Sequence, residues 1–183
     1  VKRIHYIDEN IDGALLQELF TLDGVGTLLT STPFDTIRQA TINDIAGIYE
    51  LIEPLERQGI LVKRSLDKIE DDINDYIVLV RDGTVIACAA LHDHPKEKVM
   101  ELACVAVHPD YQNQSMGEML YKSIEALANN NGVKMLLVFT TQTEHWFIER
   151  GFVEMGVSSL PIEKQETYNY QRNSKILVKR INV

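Results

Sequence analysis

Residues 100–117, MELACVAVHPDYQNQSMG, constrain this chain more than any other stretch. An apolar run is broken at His108-Pro109, a short polar loop follows, and helical spacing begins at Ser115. A strand feeding a loop that ends at a helix N-terminus suits a phosphate. The first helical turn carries N–H groups without intrahelical partners, and the helix dipole favours negative charge there. Glu101 adds a carboxylate inside the apolar run. The stretch therefore predicts an anion cradle with an acid a few residues before it.

The remaining elements arrange a sheet around it. Residues 36–40 predict a strand, and Thr41-Ile-Asn-Asp44 reads as a capping box with Asp in place of Glu. The helix it opens has Ile45, Ile48, Leu51, Ile52 and Leu55 on its apolar face and ends near residue 57, at Pro54 and Gly59. Ser65 caps a second short helix to about residue 74. Residues 76–80 and 84–91 flank Asp82-Gly83, a hairpin signal, and residues 97–107 form a long antiparallel neighbour. A helix over 115–130 carries Met119, Leu120, Ile124 and Leu127, with Gly132 just past its end. Residues 134–140 are a strand, and Thr143 caps a helix through Arg150. Residues 152–155 form a strand, 163–168 a turn or short helix, and 174–180 the last strand. This order predicts an α/β fold, a mixed sheet with helices on both faces. The crossover places 97–107 and 134–140 side by side and parallel, and two such strands that splay open a cleft. Ahead of this domain, assigned to residues 35–183, residues 2–7 read as a strand, 11–20 as a helix and 28–34 as a linker, with a boundary near residue 34.

The formal net charge is −9, from 18 Lys+Arg against 27 Asp+Glu. That argues against nucleic acid and anionic membrane as partners. No apolar run approaches the roughly 18 residues that span a bilayer. Cys88 and Cys104 sit in apolar runs and read as reduced core thiols, which points to the cytoplasm. His92 and His94 have no third ligand at metal-site spacing, so they read as loop residues and no metal is expected. His145-Trp146-Phe147 reads as core packing.

The loop Gln112-Asn-Gln-Ser-Met-Gly117 matches the acyl-coenzyme A signature Q/R-x-x-G-x-G/A at Gln112 and Gly117, with Ser115 where the first glycine stands. With the preceding V-A-V-H-P-D-Y it resembles the GNAT acetyltransferase superfamily. Residues 51–65, 88–111, 140–152 and 168–178 are similar to the C-terminal acetyltransferase domain of the bacterial N-acetylglutamate synthases. Residues 3–28 resemble the end of their amino-acid-kinase domain, which makes residues 1–34 the remnant of a domain whose main body is missing. The resemblance implies a GNAT acyl-CoA N-acyltransferase fold, acetyl-CoA as co-substrate, L-glutamate as acceptor in the first step of arginine biosynthesis, and no metal. It also implies homo-oligomers of the full-length enzyme, mainly through the kinase-like domain.

By resemblance, Gln112, Asn113, Ser115, Met116 and Gly117 hold the cofactor's pyrophosphate, and the main chain of Cys104, Val105 and Val107 aligns its acyl arm. Arg64, Arg172 and Ser174 contact glutamate, with main-chain groups of Val62 and Cys104. Glu101 is the general base. Thr140 protonates the leaving thiolate, with Tyr168 and Tyr170 as rivals. His5, Glu18 and Gly26 resemble parts of an arginine feedback site that cannot be completed without the missing domain.

The residues bear on this chemistry in their own right. A thioester is attacked by a neutral amine, so a base near the incoming ammonium is useful. A carboxylate at a strand end facing water is an equally good reading of Glu101 from the residues alone. Arginine's planar fork suits each carboxylate of a dicarboxylate acceptor, although a solvated surface charge is the commoner fate of any single Arg. Cys104 has no base beside it, which favours direct attack over a covalent route. Two other functions stay open: an acetyltransferase for another small amine, in which Arg64 and Arg172 would not face the cleft, and a coenzyme A or arginine-binding module without turnover, against which Glu101 argues.

Overall fold

The computed structural model describes residues 2–31, 33–160, 162–166 and 168–181. Its strands are β1 (Arg3–Tyr6), β2 (Thr27–Thr30), β3 (Asp35–Gln39), β4 (Tyr76–Arg81), β5 (Thr84–His94), β6 (Val99–Val107), β7 (Met135–Thr140), β8 (Val153–Met155) and β9 (Lys175–Arg180). Its helices are α1 (Ala14–Phe20), α2 (Ile45–Arg57), α3 (Leu66–Asp71), α4 (Met116–Asn130), α5 (Glu144–Ile148) and α6 (Ile162–Glu166). Seven strands form one mixed sheet in the order β3-β4-β5-β6-β7-β9-β8, and β1 and β2 make a separate antiparallel pair. Among the described residues no helix is long and apolar enough to cross a membrane.

The β4–β5 turn is Asp82-Gly83, with φ of 46° and 84°. Positive φ at both central residues gives the turn a twist that matches the strands it joins. The decisive irregularity lies one pair further on. Cys88 faces Ala106 and Ala90 faces Ala103, so residues 104 and 105 together oppose Ala89. This is a β-bulge, with Cys104 at φ 50°. β6 pairs in parallel with β7 only from Val99 to Leu102, against Met135 to Val138. Past the bulge the two strands part, and the cleft opens there.

The sheet is covered on both faces. Leu120, Ile124 and Ala128 of α4 pack with Leu79, Ile86, Leu102 and Leu136 on one. Ile48, Ile52 and Ile69 of α2 and α3 pack with Val78, Cys88 and Ala90 on the other. A smaller cluster joins Val99, Leu137, Leu160, Ile176 and Val178.

Local chemistry sets the helix starts. The Thr41 N–H and hydroxyl donate to Asp44 Oδ2 at 2.8 and 2.9 Å, and Arg38 donates to both Asp44 oxygens at 2.7 and 2.8 Å. The Arg38 guanidinium holds the buried Asp44 carboxyl down at about 2. The Ser65 hydroxyl accepts from the Lys68 N–H at 3.2 Å and caps α3 as expected.

The structure revises several sequence expectations. The linker over 28–34 overlaps β2, which pairs with β1. The helix expected over 11–20 starts at Ala14 and turns Leu15, Leu16, Leu19 and Phe20 to solvent. Pro54 lies inside α2 rather than ending it. Met119 faces outward from α4. Thr143 occupies the N-cap position of α5, but its side chain makes no cap bond. His92 and His94 belong to β5, not to a loop.

The first residues are tied to the sheet through Arg81. It grips Asp35 with Nε and Nη2 at 2.7 and 2.8 Å and reaches Asp23 at 3.0 Å. Its guanidinium stacks on Tyr111 and Phe34.

Candidate active site

The parting of β6 and β7 produces two adjoining cavities. The larger, about 1070 Å³, is a cleft between the end of β6, the loop before α4, and α5. Of the sequence-predicted cofactor residues, Val105, Val107, Gln112, Asn113, Ser115, Met116 and Gly117 all line it. The His108 N–H donates to the Ile86 carbonyl at 2.8 Å. By the alternation of an antiparallel ladder this turns the N–H and C=O of Val107 away from β5, towards the cleft. The Val107 carbonyl accepts from Gln112 Nε2 at 3.2 Å, which fixes the loop against the strand end.

Asn113 and Ser115 both adopt left-handed backbone, with φ of 62° and 63°. This explains the family preference for glycine where Ser115 stands, because a Cβ strains that conformation. Ser115 precedes α4 without making a side-chain cap bond. Gly117 serves a different purpose. A Cβ there would meet Trp146 and Val107 at 3.6 Å, ordinary contact distance, so its bareness keeps the mouth of the cleft open rather than relieving a clash.

The smaller cavity, about 210 Å³, lies on the other side of the bulge. Ile60 lines both cavities, so they adjoin. Val62, Arg64, Cys104, Arg172 and Ser174, all sequence-predicted acceptor contacts, converge here with Glu101. Arg64 Nη1 donates to the Val62 carbonyl at 2.9 Å, and its N–H donates to Glu56 Oε1 at 2.9 Å. Arg172 donates to Ser174 Oγ at 3.2 Å and to the Ile60 carbonyl at 2.5 Å, bridging the approach to β9 and the loop after α2. Each guanidinium has five N–H donors, so both retain donors for a bound carboxylate. Cys104 belongs to this cavity rather than to the cofactor cleft.

Glu101 is buried, 7% exposed. Two further residues face it, Lys164, which the sequence did not single out, and His94. Lys164 Nζ of α6 lies 2.6 Å from Glu101 Oε2, an ion-pair contact at an angle that makes no hydrogen bond. His94 Nε2 lies 3.8 Å from the same oxygen. The cavity therefore holds three cations, Arg64, Lys164 and Arg172, around one buried carboxylate. The signal for His94 was present, since its two-residue offset from His92 puts both on one strand face. Nothing in local spacing connects Lys164 to Glu101.

Thr140 lines neither cavity. Its hydroxyl accepts from the Thr143 N–H at 3.0 Å and pairs with the Thr143 hydroxyl at 2.8 Å, closing the turn after β7. Of its rivals, Tyr168 lines the small cavity and donates to the Ser174 carbonyl at 2.6 Å. Tyr170 stacks edge-on against Tyr168 and is mostly exposed. Burial pushes the thiols of Cys88 and Cys104 up. Neither is a ready nucleophile. Trp146 of the expected core triplet lines the large cleft under the Arg150 guanidinium, 3.7 Å from its ring centroid, while Phe147 is buried as expected. Among the described residues no group of three or more His, Cys, Asp or Glu could hold a metal ion.

Comparisons with known proteins agree with this fold. Residues 42–152 match the acetyltransferase (GNAT) family. The chain is 54% identical over 182 residues to the amino-acid acetyltransferase of Mannheimia succiniciproducens, covering 100% of this chain and 42% of that protein. It is 53% identical over 178 residues to the amino-acid acetyltransferase of Escherichia coli K12, covering 97% of this chain and 40% of that one. Two structures of N-acetylglutamate synthase from Neisseria gonorrhoeae superpose over 100% of this chain. The complex with coenzyme A and L-arginine gives a TM-score of 0.89 at 39% identity over 42% of that chain. The complex with coenzyme A and N-acetyl-glutamate gives 0.79 at 40% identity over 43%. The chain thus spans about two-fifths of the length of these relatives.

Proposed function

The chain belongs to the GNAT acetyltransferase family, and from that premise we propose that it transfers the acetyl group of acetyl-CoA to the α-amine of L-glutamate, in the cytoplasm, as the first step of arginine biosynthesis. The observation that carries the acceptor assignment is the small cavity: Arg64, Arg172 and Ser174 gathered beside a buried Glu101, one strand bulge away from the cofactor cleft. Two guanidinium groups match two carboxylates, and Glu101 matches the ammonium between them. Residues 1–34 are proposed to be the end of a preceding kinase-like domain, through which full-length enzymes form oligomers.

In this reading coenzyme A lies in the large cleft. Its pyrophosphate meets the amides of the loop at Gln112, Asn113, Ser115 and Met116, at the start of α4. The acyl arm runs along the unpaired side of β6 like an added strand, past Val105 and Val107. Glu101 takes a proton from the acceptor ammonium, and the neutral amine attacks the thioester carbonyl. The Val107 N–H is aimed into the cleft where charge develops on the carbonyl oxygen. Collapse expels the coenzyme A thiolate, which takes a proton from Tyr168, a lining residue of the small cavity, or from Thr140 if its hydroxyl leaves Thr143. The second proton of the attacking nitrogen replenishes the donor. Both cysteines are held as thiols by burial, so direct attack in a ternary complex is favoured over an acetyl-cysteine.

Free-thiol release from acetyl-CoA, measured over a panel of amino acids and amines, tests this. Release with L-glutamate well above L-glutamine and L-aspartate is expected. Release with another amine but not glutamate would overturn the substrate. No release with any amine, from this chain or from a full-length protein, would leave a binding module.

A further inference from the structure

Acetylating an ammonium removes two N–H protons from nitrogen. One ends on the coenzyme A thiol, and the other has to reach solvent. Glu101, as the base, is the first to carry it, yet Glu101 is buried and its Oε2 makes no hydrogen bond among the described residues. Each turnover therefore needs a route by which the proton leaves Glu101.

Two side chains face that oxygen. Lys164 is the nearer, at 2.6 Å, but an ammonium already carries its full set of protons and cannot accept another. His94 is the other. Its Nε2 is buried, has no hydrogen-bond partner among the described residues, and lies 3.8 Å from Glu101 Oε2. Two buried polar atoms that face each other without a hydrogen bond among the described residues are uncommon in a folded protein, even where one of them has an ion-pair neighbour. The strand register puts them there. His92 pairs with Glu101 and His94 with Val99, so His94 is the diagonal neighbour of Glu101 on the same face of the sheet. His92 is engaged elsewhere, with Nδ1 3.0 Å from Asp75. His94 is the last residue of β5 and its side chain is 14% exposed against 10% for Glu101, so the ring offers a slightly more exposed position beside the buried Oε2. Imidazole is the side chain best suited to take and release a proton near neutrality.

We propose that His94 relays the proton from Glu101 to solvent. This rests on the reading of Glu101 as the general base. The Glu101 O–H bond formed by deprotonating the substrate breaks, and a new N–H bond forms at the His94 Nε2 lone pair. The imidazolium then loses a proton to water, and exchange with solvent restores the Nδ1–H tautomer. Closing the 3.8 Å gap takes a side-chain rotation or one bridging water. The remaining charged groups around the pair are Lys164 on α6, Arg64 and Arg172 across the cavity, and the His92–Asp75 pair alongside. His94 acts through Glu101 and does not touch the acceptor.

The test is steady-state kinetics over pH on His94→Gln and His94→Ala, beside Glu101→Gln, with melting temperatures for each. His94→Gln keeps a polar group near Glu101 but cannot shuttle a proton. It is expected to lower kcat by about 10-fold, a fraction of the 10²–10⁴ typical of an acid–base group, with KM for both substrates unchanged. Free imidazole is expected to restore much of the rate in His94→Ala, with the rescue increasing with the neutral fraction of imidazole. A His94→Gln enzyme with the parent kcat at every pH would overturn the relay. So would a rate loss in His94→Ala that follows melting temperature and does not respond to imidazole. Glu101→Gln with normal turnover would remove the base reading itself; loss in Glu101→Gln with none in His94→Gln would remove the relay alone.

Discussion

Ser115→Gly is the substitution whose outcome the backbone specifies most directly. Ser115 sits at φ 63°, where a Cβ costs roughly 1–2 kcal/mol relative to the right-handed region. Its side chain makes no cap bond, so the change removes no hydrogen bond from the start of α4. Glycine brings a larger loss of backbone entropy on folding, about 0.5–1 kcal/mol. The difference is a net stabilisation of about 0.5–1 kcal/mol. For a chain of this size that is a rise of roughly 1–4 °C in Tm. Urea unfolding and calorimetry of the unliganded protein measure it, and titration with coenzyme A measures the cradle separately. Removing the Cβ also gives the pyrophosphate more room, so affinity for coenzyme A is expected to hold or tighten. A fall in stability would refute the strain argument. A rise in stability with at least tenfold weaker coenzyme A binding would show that the serine hydroxyl is itself a phosphate ligand.

Other perturbations separate the two cavities. Glu101→Gln is expected to lower kcat by about 10²–10⁴ with acetyl-CoA affinity nearly unchanged; weaker cofactor binding at normal kcat would contradict its role. Arg172→Lys keeps the charge but loses the planar fork, so KM for glutamate is expected to rise by roughly 10-fold or more while KM for acetyl-CoA stays put. Asp44 has its folded pKa depressed to about 2, chiefly by Arg38, so it contributes stability that is fully present above its unfolded value near 3.8 and is lost as pH falls through about 2. The contribution is about 2 kcal/mol. Asp44→Asn is expected to remove that much at neutral pH and to flatten acid unfolding between pH 4 and 2.

Much of the sheet was legible because its signals are local. The Asp82-Gly83 turn, the short apolar run of β7 and the polar loop before α4 each carry their instruction within a few residues. The strand at Thr27–Thr30 was hidden because four residues are too few for an alternation, and β1 alone supplies its partner. The Thr143 cap was misread because its hydroxyl found Thr140 instead, a choice that spacing does not encode. The acceptor cavity divides the same way. Arg64, Arg172 and Ser174 were named from residue type and resemblance, and they converge. Lys164 was missed because it meets Glu101 across 63 positions of chain, through a short helix folded onto the sheet. His94 is legible as a histidine two residues from another, but counting metal ligands asks whether histidines meet each other and not whether one of them meets an acid.

The strand order also has a consequence for synthesis on the ribosome. β9 is made after every other strand described, yet it lies between β7 and β8 in the sheet. Until residues 175–180 emerge, the apolar edge of β7, MLLVFT, has no neighbour on that side and β8 has nowhere to dock. The bulged β4–β6 meander and α4 are complete far earlier, so a nascent chain can assemble the cofactor cradle while Arg172 and Ser174 are still inside the exit tunnel. Acceptor selection would then be the last property the molecule acquires. A chain stalled just before β9 would expose an open strand edge, the kind of surface that recruits chaperones or other nascent chains.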